Sequence, residues 1–473
     1  MEELVGRKHE RDELLRCSSS KRSELVIIYG RRRIGKTFLV NRTFDDKFSF
    51  YFTGSHKAPK ERQLERFAQA LQQYGGMKFC PKIDSWYHAF DALQQMLSGR
   101  KSKKKVIFFD EMPWMDTKGS DFVAAFEDFW NTWAALRDDI CMIACGSATS
   151  WMVDKIVENQ GGLHNRVTSR IYLRPFSLAE TEEYARTHGC VWDRYTLTQC
   201  YMYIGGVPFY LSLMDFHLDL PTNIDRLFFA SHARLADEFN ELFNVLFSES
   251  TKYIEIVRLL ASHREGLTRQ EIAASLPNGG TLTKRLENLL RCDFISTNIP
   301  FAKKKKGAIY QLSDFFTLFY FRFIEGVPKT DSAYWALKMR TPQVRAWQGL
   351  TFELVCKVHI SNIIHKLGIS GVLTQTSSWR SRSDSKESGK TQIDIVIERE
   401  DRYIYLCEVK FSESPFVIDK SYEKILREKM SVFQEETKTR KTLLTSFITT
   451  FGVKPGIHSG IVQNEVILDD LFR

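Results

Sequence analysis

Gly30-Arg31-Arg32-Arg33-Ile34-Gly35-Lys36-Thr37 brackets four residues with glycines and ends in a lysine and a hydroxyl. That spacing suits a loop wrapped round a phosphate. Gly30 and Gly35 let the backbone curl so that its N–H groups face the anion, and Arg31 to Ile34 form the rim. Lys36 reaches the β- and γ-phosphates, and Thr37 ligates Mg2+. A second motif, Lys105-Val106-Ile107-Phe108-Phe109-Asp110-Glu111, ends an apolar run in two acids. Asp110 is placed to hold the metal, directly or through water, and Glu111 to polarise the attacking water. The plainer alternatives are a chance glycine turn and a pair of acids capping the turn before Pro113. Farther along, Asp394, Glu408 and Lys410 form another set. Residues 408 and 410 stand two apart on an expected strand and share a face. Two carboxylates can hold a hard divalent ion, and the lysine can position a water or steady a pentavalent phosphorane.

Elements of definite type must carry these side chains. Residues 24–29 (ELVIIY) read as a buried parallel strand feeding the glycine loop. The stretch from Phe38 (FLVNRTF) reads as a helix, whose N-terminal dipole adds to phosphate attraction. A third strand, residues 140–145 (ICMIAC), ends in Gly146-Ser147-Ala148-Thr149-Ser150. A hydroxyl there, Ser147 foremost, either senses the γ-phosphate or caps a helix.

The chain has 473 residues, enough for three or four units. It is 43% hydrophobic and 26% charged, with 35 Phe, and its composition is that of a soluble globular protein. The charged N-terminus argues against a signal peptide, and the most apolar run, 315–324, is too short to span a bilayer. A cytoplasmic protein without membrane contact is expected. The nine cysteines form no CxxC pair and read as reduced core residues. A net charge of +9 permits a nucleic-acid partner without requiring one.

The N-terminal motifs resemble those of AAA+ and STAND-type ATPases, most closely the archaeal-type ATPase family of archaea and bacteria. Val5-Gly6-Arg7-Lys8-His9-Glu10 resembles that family's opening signature on the adenine side. The resemblance therefore implies that Gly6 and Arg7, with Phe38 behind the loop, contact ATP. Ser147 matches its sensor position. Gly205-Gly206-Val207-Pro208 resembles its lid motif, implying that Pro208 packs near the base. Arg166 and Arg170 stand where such ATPases place an arginine finger, although a structural or phosphate-facing arginine fits equally. A finger acting in trans would require a homo-oligomer.

An α/β multidomain architecture is expected. It comprises a P-loop parallel-sheet core at 1–176, a helical lid at 177–247 and a winged helix-turn-helix at 248–325. A linker at 326–342 and an α/β restriction-endonuclease-like domain at 343–473 follow. In the winged helix, the turn includes Gly279-Gly280, Thr283, Lys284 and Arg285 lie early in the recognition helix, and Lys303 to Lys306 make the wing tip. Such folds bind DNA or proteins, and both readings stay open.

The last third resembles the PD-(D/E)XK nuclease superfamily in its helix-strand-strand-strand order. The resemblance extends to the C-terminal domain of archaeal-type ATPases. It implies Asp394 and Glu408 as metal ligands, Lys410 as the catalytic lysine and Glu353 as an outer ligand, with Mg2+ or Mn2+ and double-stranded DNA. Ile393 stands where the superfamily's proline would. The expected function is ATP binding and hydrolysis controlling a metal-dependent DNA nuclease on one chain. A switch that binds DNA or protein without cutting is the alternative.

Overall fold

The structure, a computed structural model, describes residues 3–100, 102–158, 161–276, 281–301, 307–329, 333–381 and 391–473. The expected break at Gly279-Gly280 and the wing tip at Lys303 to Lys306 lie outside the described residues. The chain forms two compact units, Met1–Pro175 and Phe176–Arg473.

In the first unit, β1 (Glu24–Tyr29), β2 (Phe50–Thr53), β3 (Lys105–Asp110), β4 (Ile140–Gly146) and β5 (Ser169–Tyr172) form one sheet in the order β2-β3-β4-β1-β5. Every pairing is parallel. Helices cover both faces. Leu25 and Ile27 pack with side chains of α3 (Lys60–Gly75), α4 (Trp86–Ser98) and α5 (Phe122–Thr132). Val26 and Ile28 pack on the other face with Leu14 of α1 (Lys8–Ser19) and Leu39 of α2 (Lys36–Thr43). Burial on both faces explains why β1 reads as an unbroken apolar run. Motif-bearing loops leave the carboxyl ends of β1, β3 and β4, the edge at which open α/β sheets bind ligands.

The second unit opens with α6 (Leu178–Thr187), whose start Ser177 and Glu180 fix as a capping box. After α7 (Arg194–Ile204) and several short helices come α8 (Ser250–Ser262), β6 (Leu267–Thr268), α9 (Arg269–Ser275), α10 (Leu282–Arg291), β7 (Ile295–Asn298) and β8 (Ile309–Leu312). The three strands form an antiparallel sheet in the order β6-β8-β7. Within the expected linker at 326–342, the described residues 334–338 are packed structure. Its short helix Tyr334–Lys338 buries Trp335 completely, and the Asp225 carboxylate accepts the N–H groups of Trp335 and Ala336 at 2.6 and 3.1 Å.

The C-terminal part carries α11 (Pro342–Val358), β9 (Thr374–Arg380), β10 (Gln392–Arg399), β11 (Tyr403–Lys410), α12 (Lys420–Thr437), β12 (Thr442–Thr449) and β13 (Asn464–Ile467). Its sheet runs β13-β12-β11-β10-β9, antiparallel through β9, β10 and β11 and parallel through β11, β12 and β13. No described helix is long and apolar enough to cross a membrane. All nine cysteines are free thiols, and only Cys80 is exposed.

Candidate functional site

The loop after β1 is shaped by its glycines. Gly30 has φ 146°, and a Cβ there would lie 2.3 Å from the Leu173 carbonyl oxygen, so no larger residue fits. Gly35 begins α2 at φ 84°, and Arg33 also takes a left-handed φ of 75°. Arg31, Ile34 and Lys36 are buried, while Arg32, Thr37 and Phe38 are half-buried. Lys36 folds over the loop and donates to the carbonyls of Gly30 and Arg31 at 3.0 and 2.8 Å. Its ammonium is thus poised above the curl that would cradle a phosphate.

Thr37 Oγ1 donates to both oxygens of Asp110, at 3.1 and 3.0 Å. The hydroxyl and carboxylate that would share Mg2+ are therefore in contact between α2 and the end of β3. Asp110 also accepts the Glu111 N–H at 3.0 Å and the Cys145 thiol at 2.7 Å. Burial raises the Asp110 carboxyl above its ordinary range, with the thiol acting in the opposite direction. Burial drives Cys145 up strongly and keeps it a protonated donor. Sequence reasoning missed Cys145. Its signal was its place as the next position of β4 after the Phe109–Ala144 pairing, which sets it beside Asp110.

Glu111 sits in left-handed backbone at φ 46°. Its Oε2 accepts from Ser147 N–H at 3.1 Å, Ser147 Oγ at 2.9 Å and Trp114 Nε1 at 3.1 Å. Ser147 therefore grips the second acid and does not cap the helix Thr149–Met152, whose N-cap is Ala148. Gly6 and Arg7 both have positive φ, and Arg7 donates to the Arg174 carbonyl at 2.6 Å. Arg166 and Arg170 are exposed. Pro208 belongs to the second unit, where it opens the short helix Pro208–Leu211.

Residues 4–214 match the family described as an ATPase domain predominantly from Archaea. This part of the chain is similar to an archaeal-type ATPase domain. The family supports ATP binding and hydrolysis, with a nucleotide and usually Mg2+ at the loop. An uncharacterised protein of Methanocaldococcus jannaschii is 23% identical over 432 residues, 90% of each chain. A Walker-type ATPase of Pyrococcus abyssi is 16% identical and aligns with a TM-score of 0.50, over 67% of this chain and 96% of that one, a likeness of fold. The ORC2 protein of Aeropyrum pernix aligns at 13% identity with a TM-score of 0.41, over 76% and 96% of the two chains.

Beyond the ATPase domain, the C-terminal acids line a cavity of about 520 Å3 with Lys410 and Lys429. The β9–β10 register slips between Ile393 and Val396, so Asp394 lies in a bulge, a device that re-aims a side chain. Asp394 Oδ2 accepts the Val409 N–H of β11 at 3.0 Å. The pairing Ile395–Cys407 sets Asp394 and Glu408 opposite one step further on. Glu408 is held by Lys429 at 2.6 Å, the Tyr422 hydroxyl at 3.2 Å and Lys410 at 3.5 Å. Lys429 and Tyr422 lie on α12 and were not anticipated. Their signal was their spacing of seven residues, which puts both on one helix face.

Burial, and then the Asp394 charge, push Glu353 up to about 7. Burial and the Glu408 charge raise Asp394. Such crowding of buried carboxylates is what a divalent cation relieves, so Asp394 and Glu408 suit one. Glu353 lines the same cavity. Its Oε1 accepts from Arg264 at 3.0 Å, and among the described residues no three His, Cys, Asp or Glu side chains are grouped to hold a metal. In α10, Thr283 and Lys284 are exposed, but Arg285 turns inward to Glu249 at 3.1 Å and cannot reach a groove there.

Proposed function

We propose that this chain is an ATPase whose nucleotide cycle governs a metal-dependent nuclease built from residues 343–473. The observation that carries the second half is the bulge-aimed Asp394 facing Glu408 in one cavity with Lys410 and Lys429.

In the ATPase domain, Lys36 binds the β- and γ-phosphates and Thr37 and Asp110 hold Mg2+. Glu111 orients the attacking water once Ser147 yields its grip. Ser147 is then a natural reporter of the γ-phosphate, because the same hydroxyl touches the acid that must move. An exposed Arg166 or Arg170 suits a finger offered to a neighbouring copy, and Gly6 and Arg7 face the base.

In the C-terminal domain, Asp394 and Glu408 would hold Mg2+ or Mn2+. When bound, the ion polarises the scissile phosphate and lowers the pKa of an attacking water. Lys410 positions that water, and Lys429 is set to steady the charge that gathers on phosphate oxygens. Water oxygen bonds to phosphorus, the ester P–O bond breaks, and the leaving oxygen takes a proton. Residues 248–325 fit a winged helix, with Thr283 and Lys284 turned outward toward duplex DNA.

A second reading draws on Lys429 and Tyr422, which already compensate Glu408 without a metal. Such a pocket suits a switch that grips DNA or protein and cuts nothing. Incubating plasmid and linear DNA with Mg2+ or Mn2+, with and without ATP, separates the two. Cleavage lost in Glu408→Ala supports the nuclease, and its response to Lys36→Ala shows the direction of control. Intact DNA throughout, from protein that still releases phosphate from ATP, selects the switch.

A further inference from the structure

The segment read as a winged helix is seated against the edge of the C-terminal sheet. Strand β9 is that edge. Just past β7, the Phe301 N–H donates to the Ser378 carbonyl at 2.9 Å, and the Asn298 amide donates to the Ser378 hydroxyl. The Phe301 ring packs on Phe433 at 5.1 Å and joins the core cluster that includes Trp379. An edge strand is a template for pairing, and here residues 298–301 cover it.

The same face sends two neighbouring charges across. Arg264 pairs with Glu353 at 3.0 Å, and Glu265 pairs with Arg380. A cavity of about 1330 Å3 between these elements shares Arg264 and Glu353 with the acid site, so the Arg264–Glu353 pair stands where the two cavities meet. The Arg264 side chain is 55% exposed. Glu353 is 15% exposed, so the guanidinium reaches from solvent to a largely buried carboxylate.

We propose that docking of the β6-β8-β7 segment on β9 neutralises Glu353, which lines the acid site, through Arg264, so that docking and divalent-metal loading exclude one another. The inference rests on the reading of Asp394 and Glu408 as a metal site. A guanidinium neutralises the third carboxylate in the docked arrangement. Its withdrawal leaves the Glu353 carboxylate uncompensated beside Asp394 and Glu408 and opens the larger cavity onto them. The partner of this winged-helix face is then the edge strand of its own chain.

Two measurements on the full, nucleotide-free chain test this. Mn2+ binding is titrated calorimetrically, counting the portion lost in Asp394→Asn. Arg264→Ala and Glu265→Ala should each bind about fivefold tighter than the parent chain. Glu265 touches none of the three acids, so its effect isolates docking from local charge. Mn2+ should also speed hydrogen exchange at the Phe301 amide. Equal affinities with Asp394-dependent binding present, or unchanged Phe301 exchange at saturating Mn2+, overturn the exclusion and leave the metal site standing. No Asp394-dependent binding in any chain overturns the metal site and the exclusion together.

Discussion

Glu111 and Ser147 show how one contact divides binding from turnover. The Glu111 carboxylate accepts from Ser147 twice, at 3.1 and 2.9 Å, and so is held by the residue beside the other motif. Glu111→Gln should keep ATP affinity and slow phosphate release by roughly a hundredfold, the usual loss of a water-activating group. Fluorescent-nucleotide binding alongside phosphate release tests the split, and equal losses in both would contradict the role. Lys36→Ala should lose affinity itself. Gly30→Ala belongs at this scale too, because its methyl would lie 2.3 Å from the Leu173 carbonyl oxygen. The substitution should cost on the order of 3 kcal/mol and lower the melting temperature even without nucleotide. A melting point within a degree of the parent would show that the loop relaxes.

At the scale of elements, α6 and α11 are joined by one imidazole. His359 Nε2 accepts the Leu178 N–H at 3.0 Å, an orphan donor at the start of α6, and so its proton sits on Nδ1 facing the Val355 carbonyl at 2.9 Å. Burial lowers the His359 pKa. A depressed histidine contributes stability above its unfolded value near 6.5, and that stability is lost as pH falls through the lower folded value. Acid unfolding of the second unit should therefore begin below about pH 6.5 and be blunted in His359→Gln. A far-UV melting series in pH checks this, and identical profiles would rule the imidazole out. Helix α10 carries a parallel contrast. Lys284→Ala should reduce the salt dependence of duplex binding by about one counterion, whereas Arg285→Ala should leave that slope unchanged. These positions also show what was legible in the sequence. Strands β1 and β3 announce themselves because burial on both faces demands unbroken apolar runs, and β10 and β11 show as apolar stretches interrupted by Asp394 and Glu408. Arg285 did not announce its inward turn, since helical spacing alone does not say which neighbour waits. Trp335 hid in a Pro- and Gly-bearing stretch because its burial depends on Asp225, more than a hundred residues away. The bulge at Asp394 depends on the partner strand and left no mark in its own residues.

For the whole molecule, the two proposed ligand sites, of different chemistry, predict two separable responses to ligand. ATP with Mg2+ at a hundred times its Kd should stabilise the ATPase domain by about 2.7 kcal/mol, an effect absent in Lys36→Ala. Mn2+ alone should act through Asp394 and survive Lys36→Ala. Thermal melts of both variants with each ligand decide this, and a Mn2+ response that vanishes with Lys36 would place the ion at the wrong end of the chain. The cover on β9 also has a consequence for how the protein is made. Phe301 leaves the ribosome nearly eighty residues ahead of Ser378, the residue whose carbonyl it will occupy. At translation rates of about 5–20 residues per second, the aromatic ring waits for several seconds, up to roughly fifteen, with its apolar seat not yet synthesised. A chaperone that holds exposed aromatic segments would find its target in that interval, and a chain terminated before residue 374 would keep it permanently.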